Sequence, residues 1–304
     1  MVFIRRKSKD NTYYYELVEN KWEDGKTVQK IIKYFPDLES AHLYCEKKGI
    51  QKFKTKYVLP PELEARIIKK LDTLDSLRPL PQTALKNLQD KFEIDMTYNS
   101  NAIEGNRLTL RETFLVVRKG ITIGGKSLEE HLEAKNHVDA IKFIYELIDN
   151  KRKFVKEDIL KIHQLVLEKI DSEFAGKYRN QQVYIEGAVH VPPPAKEVPK
   201  LMEKVIKQLN NADDKQGALI SASKAHYLIT YIHPFIDGNG RVARLLLNLR
   251  LMRSGFPPIV LRKTQRKSYY GALEKADSGD FYPITTLISK DVEAALDLYL
   301  AATS

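Results

Sequence analysis

Cysteine is all but missing from this chain of 304 residues. Cys45 stands alone, which excludes an internal disulfide and fits a reducing, cytoplasmic setting in which the thiol is a small core residue. Long apolar runs are missing too: no stretch of about 18 apolar residues occurs, so no membrane span is expected. The opening MVFIRRKSKDNTYYY has no apolar segment ahead of a small-residue cleavage site and does not read as a signal peptide. Internal repeats and low-complexity tracts are also lacking. What is present is an ordinary globular mixture, 43% hydrophobic, 30% charged and 9% aromatic, in a chain long enough for one large domain or a core with an appendage. The formal charge of +10 favours an acidic partner such as nucleic acid, a nucleotide or an acidic protein, although excess lysine also serves solubility.

The first stretch is patterned differently from the rest. FIRRK, TYYYELVE and TVQKIIKYF are rich in β-branched and aromatic residues and are separated by polar breaks at 8–11 and 20–25, the second carrying an Asp24–Gly25 turn signal. They predict a three-stranded meander, followed by a short helix opening at Asp37 and closing near Gly49. Residues 1–56 hold 13 Lys/Arg against 8 Asp/Glu, half of the chain's excess. A basic, tyrosine-rich small sheet suits nucleic acid. A docking or dimerising appendage with a solvated basic face has the same composition, and a homodimer is left open.

After Pro60–Pro61 the pattern turns helical, so a mostly α fold is expected. Leu63, Ile67, Leu71 and Leu74 line one helix face, and further helices fit 85–96, 127–148, 156–170, 199–209, 218–232, 241–254, 268–276 and a last one ending near Ala302. The expected divisions are a β-rich appendage at 1–56, a helical region at 57–150, a catalytic core at 151–290 and a closing helix at 291–304. QQVYIEGAVHV at 181–191 interrupts the helices with the alternation of a β-hairpin around Glu186–Gly187. A lone hairpin leaves an edge open to an extended peptide.

Chemistry concentrates in YIHPFIDGNGRVARLLLNLRLMRSG. His233 follows an apolar helix, and Pro234 ends that helix. Asp237, Gly238, Asn239 and Gly240 suit a tight loop whose glycines let backbone N–H groups approach a ligand. The helix that follows offers its free N-terminal N–H groups to phosphate. Arg241 and Arg244, three apart, share a face of its first turn. Asp237 supplies a hard oxygen for Mg²⁺ carried by phosphates, and His233 has a pKa suited to a general base. Arginines in a first helical turn oppose the helix dipole unless an anion is bound there. Separately, such a histidine or such a turn is ordinarily structural; together they describe a phosphoryl-group site.

HPFIDGNGRVAR matches without a gap the signature of the Fic family, and the chain resembles that family across 97–304, in TYNSNAIEGNRLTL, GGKSLEEHLEAKNH, GKYR, VHVPPP and QRKSYYGALEKADSGD. The resemblance implies an adenylyltransferase that moves AMP from ATP to a Ser, Thr or Tyr hydroxyl of a protein, itself included, with Mg²⁺ held at Asp237. It implies that His233 deprotonates the target hydroxyl. Asn239 and the Gly238–Gly240 backbone would cradle the α-phosphate, while Arg241 and Arg244 hold the β- and γ-phosphates. Tyr269 and Tyr270 would line the adenine pocket. The segment Tyr184, Ile185, Glu186, Gly187, Ala188, Val189 and His190 would be a flap that pins the target protein. Asp277 stands where the endoplasmic-reticulum branch of the family has Asn, and a carboxylate only accepts hydrogen bonds.

Ser100-Asn101-Ala102-Ile103-Glu104-Gly105 is similar to the family's inhibitory motif. The resemblance implies an inhibitory helix at about 97–106, ahead of the core, with Glu104 on Arg244 in place of the γ-phosphate. Two other readings stay open: removal of AMP with Glu104 orienting water, and a nucleic-acid-binding regulator working through residues 1–56. His131, His137, His163 and His226 fall inside helical patterns without metal-ligand partners and read as structural.

Overall fold

A computed structural model describes residues 2–9, 12–23, 26–50, 53–55 and 59–303. The chain divides into two compact units, Met1–Glu62 and Leu63–Ser304.

In the first unit the β-branched and aromatic runs form β1 (Val2–Lys9), β2 (Thr12–Glu23) and β3 (Lys26–Phe35), antiparallel in chain order. Helix α1 (Leu38–Lys47) starts where the Asp37 carboxylate accepts from the Ser40 N–H at 2.7 Å. A short β4 (Phe53–Thr55) then pairs parallel to β1, giving the order β3-β2-β1-β4. This fourth strand was not expected, because three residues carry no readable alternation. The strands also outrun expectation: Asn20–Glu23 continue β2 instead of breaking it. The anticipated turns at 10–11 and 24–25 lie outside the described residues. Alternation places Tyr15 and Leu17 of β2 under α1, where Ile4, Phe35, Leu38, Ala41 and Cys45 complete a small core.

The second unit is helical: α2 (Pro61–Ser76), α3 (Gln82–Ile103), α4 (Leu110–Phe114), α5 (Leu128–Asp149), α6 (Lys156–Leu167), α7 (Val198–Asn210), α8 (Lys215–Ile232), α9 (Asn239–Arg253), α10 (Arg266–Asp277) and α11 (Tyr282–Thr303). α2 begins at the junction of the two units. α3 runs unbroken through the two segments anticipated as separate helices at 85–96 and 97–106, since neither Gly nor Pro falls before Gly105. α4, which the sequence reading missed, begins at a reciprocal capping box between Thr109 and Glu112 and continues as a π-helical turn to Gly120. α5 carries the same box on Ser127 and Glu130.

α9 is the axis of this unit. Val242, Ala243, Leu245, Leu246, Leu247, Leu249 and Leu251 are all buried, so apolar residues occur around the whole helix and it has to be enclosed. α8, α7, α6, α5 and α3 pack around it. Among its buried polar residues, the Asn248 amide donates to the Ile259 carbonyl at 3.0 Å and accepts from the Ile259 N–H at 2.7 Å. The segment 181–191 forms no strand; it is a loop with one turn, the Ala188 N–H donating to the Ile185 carbonyl at 3.2 Å. A hairpin with no third strand and no face to bury gains too little to hold a ladder. No described helix is long and apolar enough to cross a membrane.

Because α9 is enclosed on all sides, Leu246→Ala should leave a cavity and cost about 2–5 kcal/mol in a urea titration of the full chain. A loss under about 0.5 kcal/mol would place Leu246 at a surface rather than in the core.

Candidate active site

The site is built where α8 hands over to α9. α8 stops at Ile232, and His233 takes a left-handed conformation (φ 49°, ψ 61°) while its N–H keeps a last helical bond to Ile229 at 2.9 Å. A histidine at positive φ is uncommon, and Pro234 prevents the chain from resuming the helix. The loop turns back and enters α9 through Gly238, at φ 76° with the His163 ring 3.4 Å from where a Cβ would lie, so only glycine fits without strain. Asn239 closes the loop. Its amide donates to the Phe235 carbonyl at 3.0 Å and its oxygen accepts from the Phe235 N–H at 2.9 Å. The Asn239 side chain thereby fixes the shape of the loop.

His163 braces the loop from below. Its ring stacks on Phe235 with centroids 3.7 Å apart. Nδ1 accepts from the Gly176 N–H at 2.9 Å, which assigns the proton to Nε2, donating to the Asp237 carbonyl at 3.1 Å.

The two arginines at the start of α9, Arg241 and Arg244, are buried and engaged. Arg241, 2% exposed, reaches Glu133 of α5 and Asp237, each at 2.7 Å. Arg244, 1% exposed, donates through Nε to Ser100 Oγ and through Nη2 to the Ser100 carbonyl, both at 2.8 Å, and through Nη2 to Glu104 Oε1 at 2.7 Å. Its Nη1 is buried without an acceptor in hydrogen-bonding geometry among the described residues. The Glu104 carboxylate lies directly on Gly240, where a Cβ would collide with Oε1. A carboxylate thus occupies the first turn of α9, the place where free N–H groups favour an anion.

His233 stands at the rim of this nest. Burial lowers its pKa from the ordinary 6.5; the Thr230 backbone and the carboxylates of Glu104 and Asp237 oppose the shift, and Arg179 adds to it. The ring is neutral at neutral pH, as a base must be. Asp237 is exposed: Oδ2 is on Arg241, and the carboxylate otherwise faces solvent.

Tyr269 is buried, its hydroxyl 2.8 Å from His226 Nε2, and its ring lies 5.4 Å from that of half-exposed Tyr270. Asp277, at the end of α10, accepts from the Tyr227 hydroxyl at 3.0 Å. The loop at 183–191 projects Tyr184 and Val189, which are 77% and 96% exposed, while its feet are fixed. His190 Nε2 meets the Tyr231 carbonyl at 2.8 Å and Gln182 donates to the Pro192 carbonyl at 2.8 Å. Arg179 binds them all: its buried guanidinium donates to the carbonyls of His233, Gln181, Pro193 and Ile232.

The sequence reading missed Arg179, Glu133 and the bracing part of His163. Arg179 was visible only as the end of GKYR, and Glu133 lies 108 residues before its partner Arg241.

The Fic/DOC family profile matches residues 153–251. Protein adenylyltransferase Fic of Aedes aegypti is 39% identical over 244 residues, 79% of this chain and 48% of the relative. The protein of the same name from Drosophila ananassae is 37% identical over 243 residues, 78% and 48% of the two chains. Among solved structures, Fic-1 from C. elegans matches with a TM-score of 0.71 at 33% identity, over 80% of this chain and 73% of that one. A Fic-domain-containing signaling protein from Bacteroides thetaiotaomicron matches with a TM-score of 0.72 at 29% identity, over 78% and 96%. The chain belongs to the Fic family. It spans about half the length of the curated relatives it matches.

Three further histidines make the site sensitive to acid. Burial holds His137 at about 3 and His163 and His226 at about 4, with Arg244 and Arg241 adding to the shift of His137. The folded chain keeps them neutral where the unfolded chain takes up protons below 6.5, so stability present above that pH is lost as pH falls. The denaturation midpoint should drop between pH 6.5 and about 4, and His163→Gln should flatten the decline. A midpoint constant across that window would mean that the three rings are not buried in the native state.

Proposed function

We propose that this chain transfers AMP from ATP to a hydroxyl of a protein and that Glu104 restrains the transfer. The observation that supports this most is the carboxylate of Glu104 on Gly240 and Arg244, an anion of the protein's own seated where a triphosphate would bind. Buried Arg244 Nη1 without an acceptor, and the closeness that only glycine permits at position 240, both fit an incoming phosphate.

The steps follow from the residues present. Neutral His233 takes the proton of the target Ser, Thr or Tyr hydroxyl as its oxygen attacks the α-phosphorus. The bond between the α-phosphorus and the bridging oxygen breaks, and pyrophosphate leaves with the electron pair. The first N–H groups of α9 stabilise the α-phosphate oxygens, and Arg244 and Arg241 orient the outer phosphates. Among the described residues no group of three His, Cys, Asp or Glu could cage a metal. The exposed Asp237 carboxylate fits Mg²⁺ that enters with the phosphates, which supplies charge neutralisation there. The loop at 183–191, with its feet tied by Arg179 and His190, would hold an extended segment of the target.

A second reading, hydrolytic removal of AMP, is favoured by Glu104 itself. Its side chain remains 33% exposed beside the nest, so it can orient water.

Replacing Glu104 separates these readings. Glu104→Gly should raise self-labelling from α-labelled ATP by about 10²-fold or more, since it frees the guanidinium that positions the triphosphate. Adding His233→Ala should return labelling to background while ATP still raises the melting temperature. Equal labelling by wild type and Glu104→Gly would refute the restraint. Release of AMP from a labelled protein by wild type alone would establish the hydrolytic reading.

The pH profile of Glu104→Gly supplies a further check. Because burial lowers the His233 pKa, the rate should hold as pH falls to 6.5 and decline only below it. A decline centred above 6.5 would exclude His233 as the base.

A further inference from the structure

We infer that Asn106 is a positioning residue for the restraint: through Glu133 it ties the segment that carries Glu104 to Arg241, the other arginine of the phosphate nest. The inference rests on the reading that Glu104 holds the transfer back, and it adds a second point at which the hold is made.

The backbone shapes the end of α3 first. Gly105 has φ 110°, the Asn106 N–H returns to the Asn101 carbonyl at 3.1 Å, and the Gly105 N–H reaches the Ala102 carbonyl at 3.4 Å. These two bonds are the Schellman ending of a helix, with Glu104 at the C-cap and Asn106 two residues beyond it. The motif uses Gly105 but requires nothing of the Asn106 side chain. A carboxylate at a helix C-terminus also opposes the dipole, so local preference does not hold Glu104 there.

The Asn106 side chain is nonetheless buried and fully used. Its amide donates to the Glu130 carbonyl at 3.0 Å and to Glu133 Oε2 at 2.8 Å, and its oxygen accepts from the Leu108 N–H at 2.9 Å. The next residue follows suit, the Arg107 N–H donating to Glu130 Oε1 at 2.8 Å. The chain leaving Glu104 is thus pinned on the first two turns of α5.

Glu133 connects this pin to the phosphate site. Its Oε1 holds Arg241 at 2.7 Å while its Oε2 holds Asn106. Burial raises the Glu133 pKa, and both of these partners favour its charged form. The two arginines placed to orient the outer phosphates therefore converge on one stretch of chain. Arg244 meets Ser100 and Glu104 directly, and Arg241 meets Asn106 through Glu133. A cap that served α3 alone could use any acceptor; this one uses the carboxylate that seats Arg241. Without the pin the last turn of α3 is free to fray, as helix ends do, and Glu104 spends less time on Arg244. Arg241 keeps its own pair with Glu133, so the groups that perform the transfer stay in place.

The test joins self-labelling from α-labelled ATP to hydrogen exchange of the backbone amides at 104–108. Asn106→Ala removes the pin, and Asn106→Asp, of equal size, sets a carboxylate oxygen against Glu133. In the chain that retains Glu104, each should raise labelling by about tenfold, the scale of one hydrogen bond to a charged group, and stay below Glu104→Gly. In the Glu104→Gly background each should leave labelling unchanged, which a merely structural role would not do. Exchange at 104–108 should quicken by about tenfold in both variants without ATP. Circular dichroism confirms that each variant is folded. The proposal is overturned by folded Asn106 variants that label like their parent, by an equal change in both backgrounds, or by unaltered exchange at 104–108. Equal labelling by wild type and Glu104→Gly would remove the restraint itself, and exchange would still decide whether Asn106 pins the segment.

Discussion

A guanidinium buried within a helical core governs how the second unit is arranged. Removing such a charge from water costs several kcal/mol unless its donors are matched. Nε and Nη2 of Arg244 are matched from one place, the end of α3, where Ser100 supplies a hydroxyl and a carbonyl and Glu104 a carboxylate. This requirement joins two segments 140 residues apart and sets the end of α3 against the start of α9. It also explains polar residues within a helix interior. Ser100 is fully buried in α3, where an apolar residue would pack well but leave Nε of Arg244 without an acceptor.

Much of this arrangement was legible in the sequence, and the parts that were not share a cause. The lengths of α2, α5 and α9 follow from apolar periodicity and from caps such as Ser127, all local features. The stretch from His233 to Arg244 was legible because every group in it acts within one turn-to-helix passage. Arg179 and Glu133 escaped notice because their partners are distant in sequence and, for Arg179, are backbone carbonyls that leave no mark on residue type. The loop at 183–191 alternates like a hairpin between Val183 and Val191 but forms no ladder; with both sides in solvent, alternation has no core to serve. Asn239 shows a role that its place in the motif did not announce: its amide holds the Phe235 backbone through one donor and one acceptor.

The two partners of the central pair differ in how readily each can leave it. Arg244 is 1% exposed and held by Ser100 at two points, while the Glu104 side chain is 33% exposed, at the C-cap of α3, with Gly105 next in the chain. When the pair separates, Glu104 can regain water and Arg244 cannot. The cost of separation therefore falls on the arginine, which must find another anion with matching oxygens. A triphosphate entering over Gly240 would, on the proposed reading, meet that need, and a neutral ligand would not. On the proposed reading, the same imbalance makes the restraint both firm and reversible: the carboxylate holds the guanidinium while no phosphate is present, and rotation of one side chain at a helix end releases it, with α3 and α9 left in place.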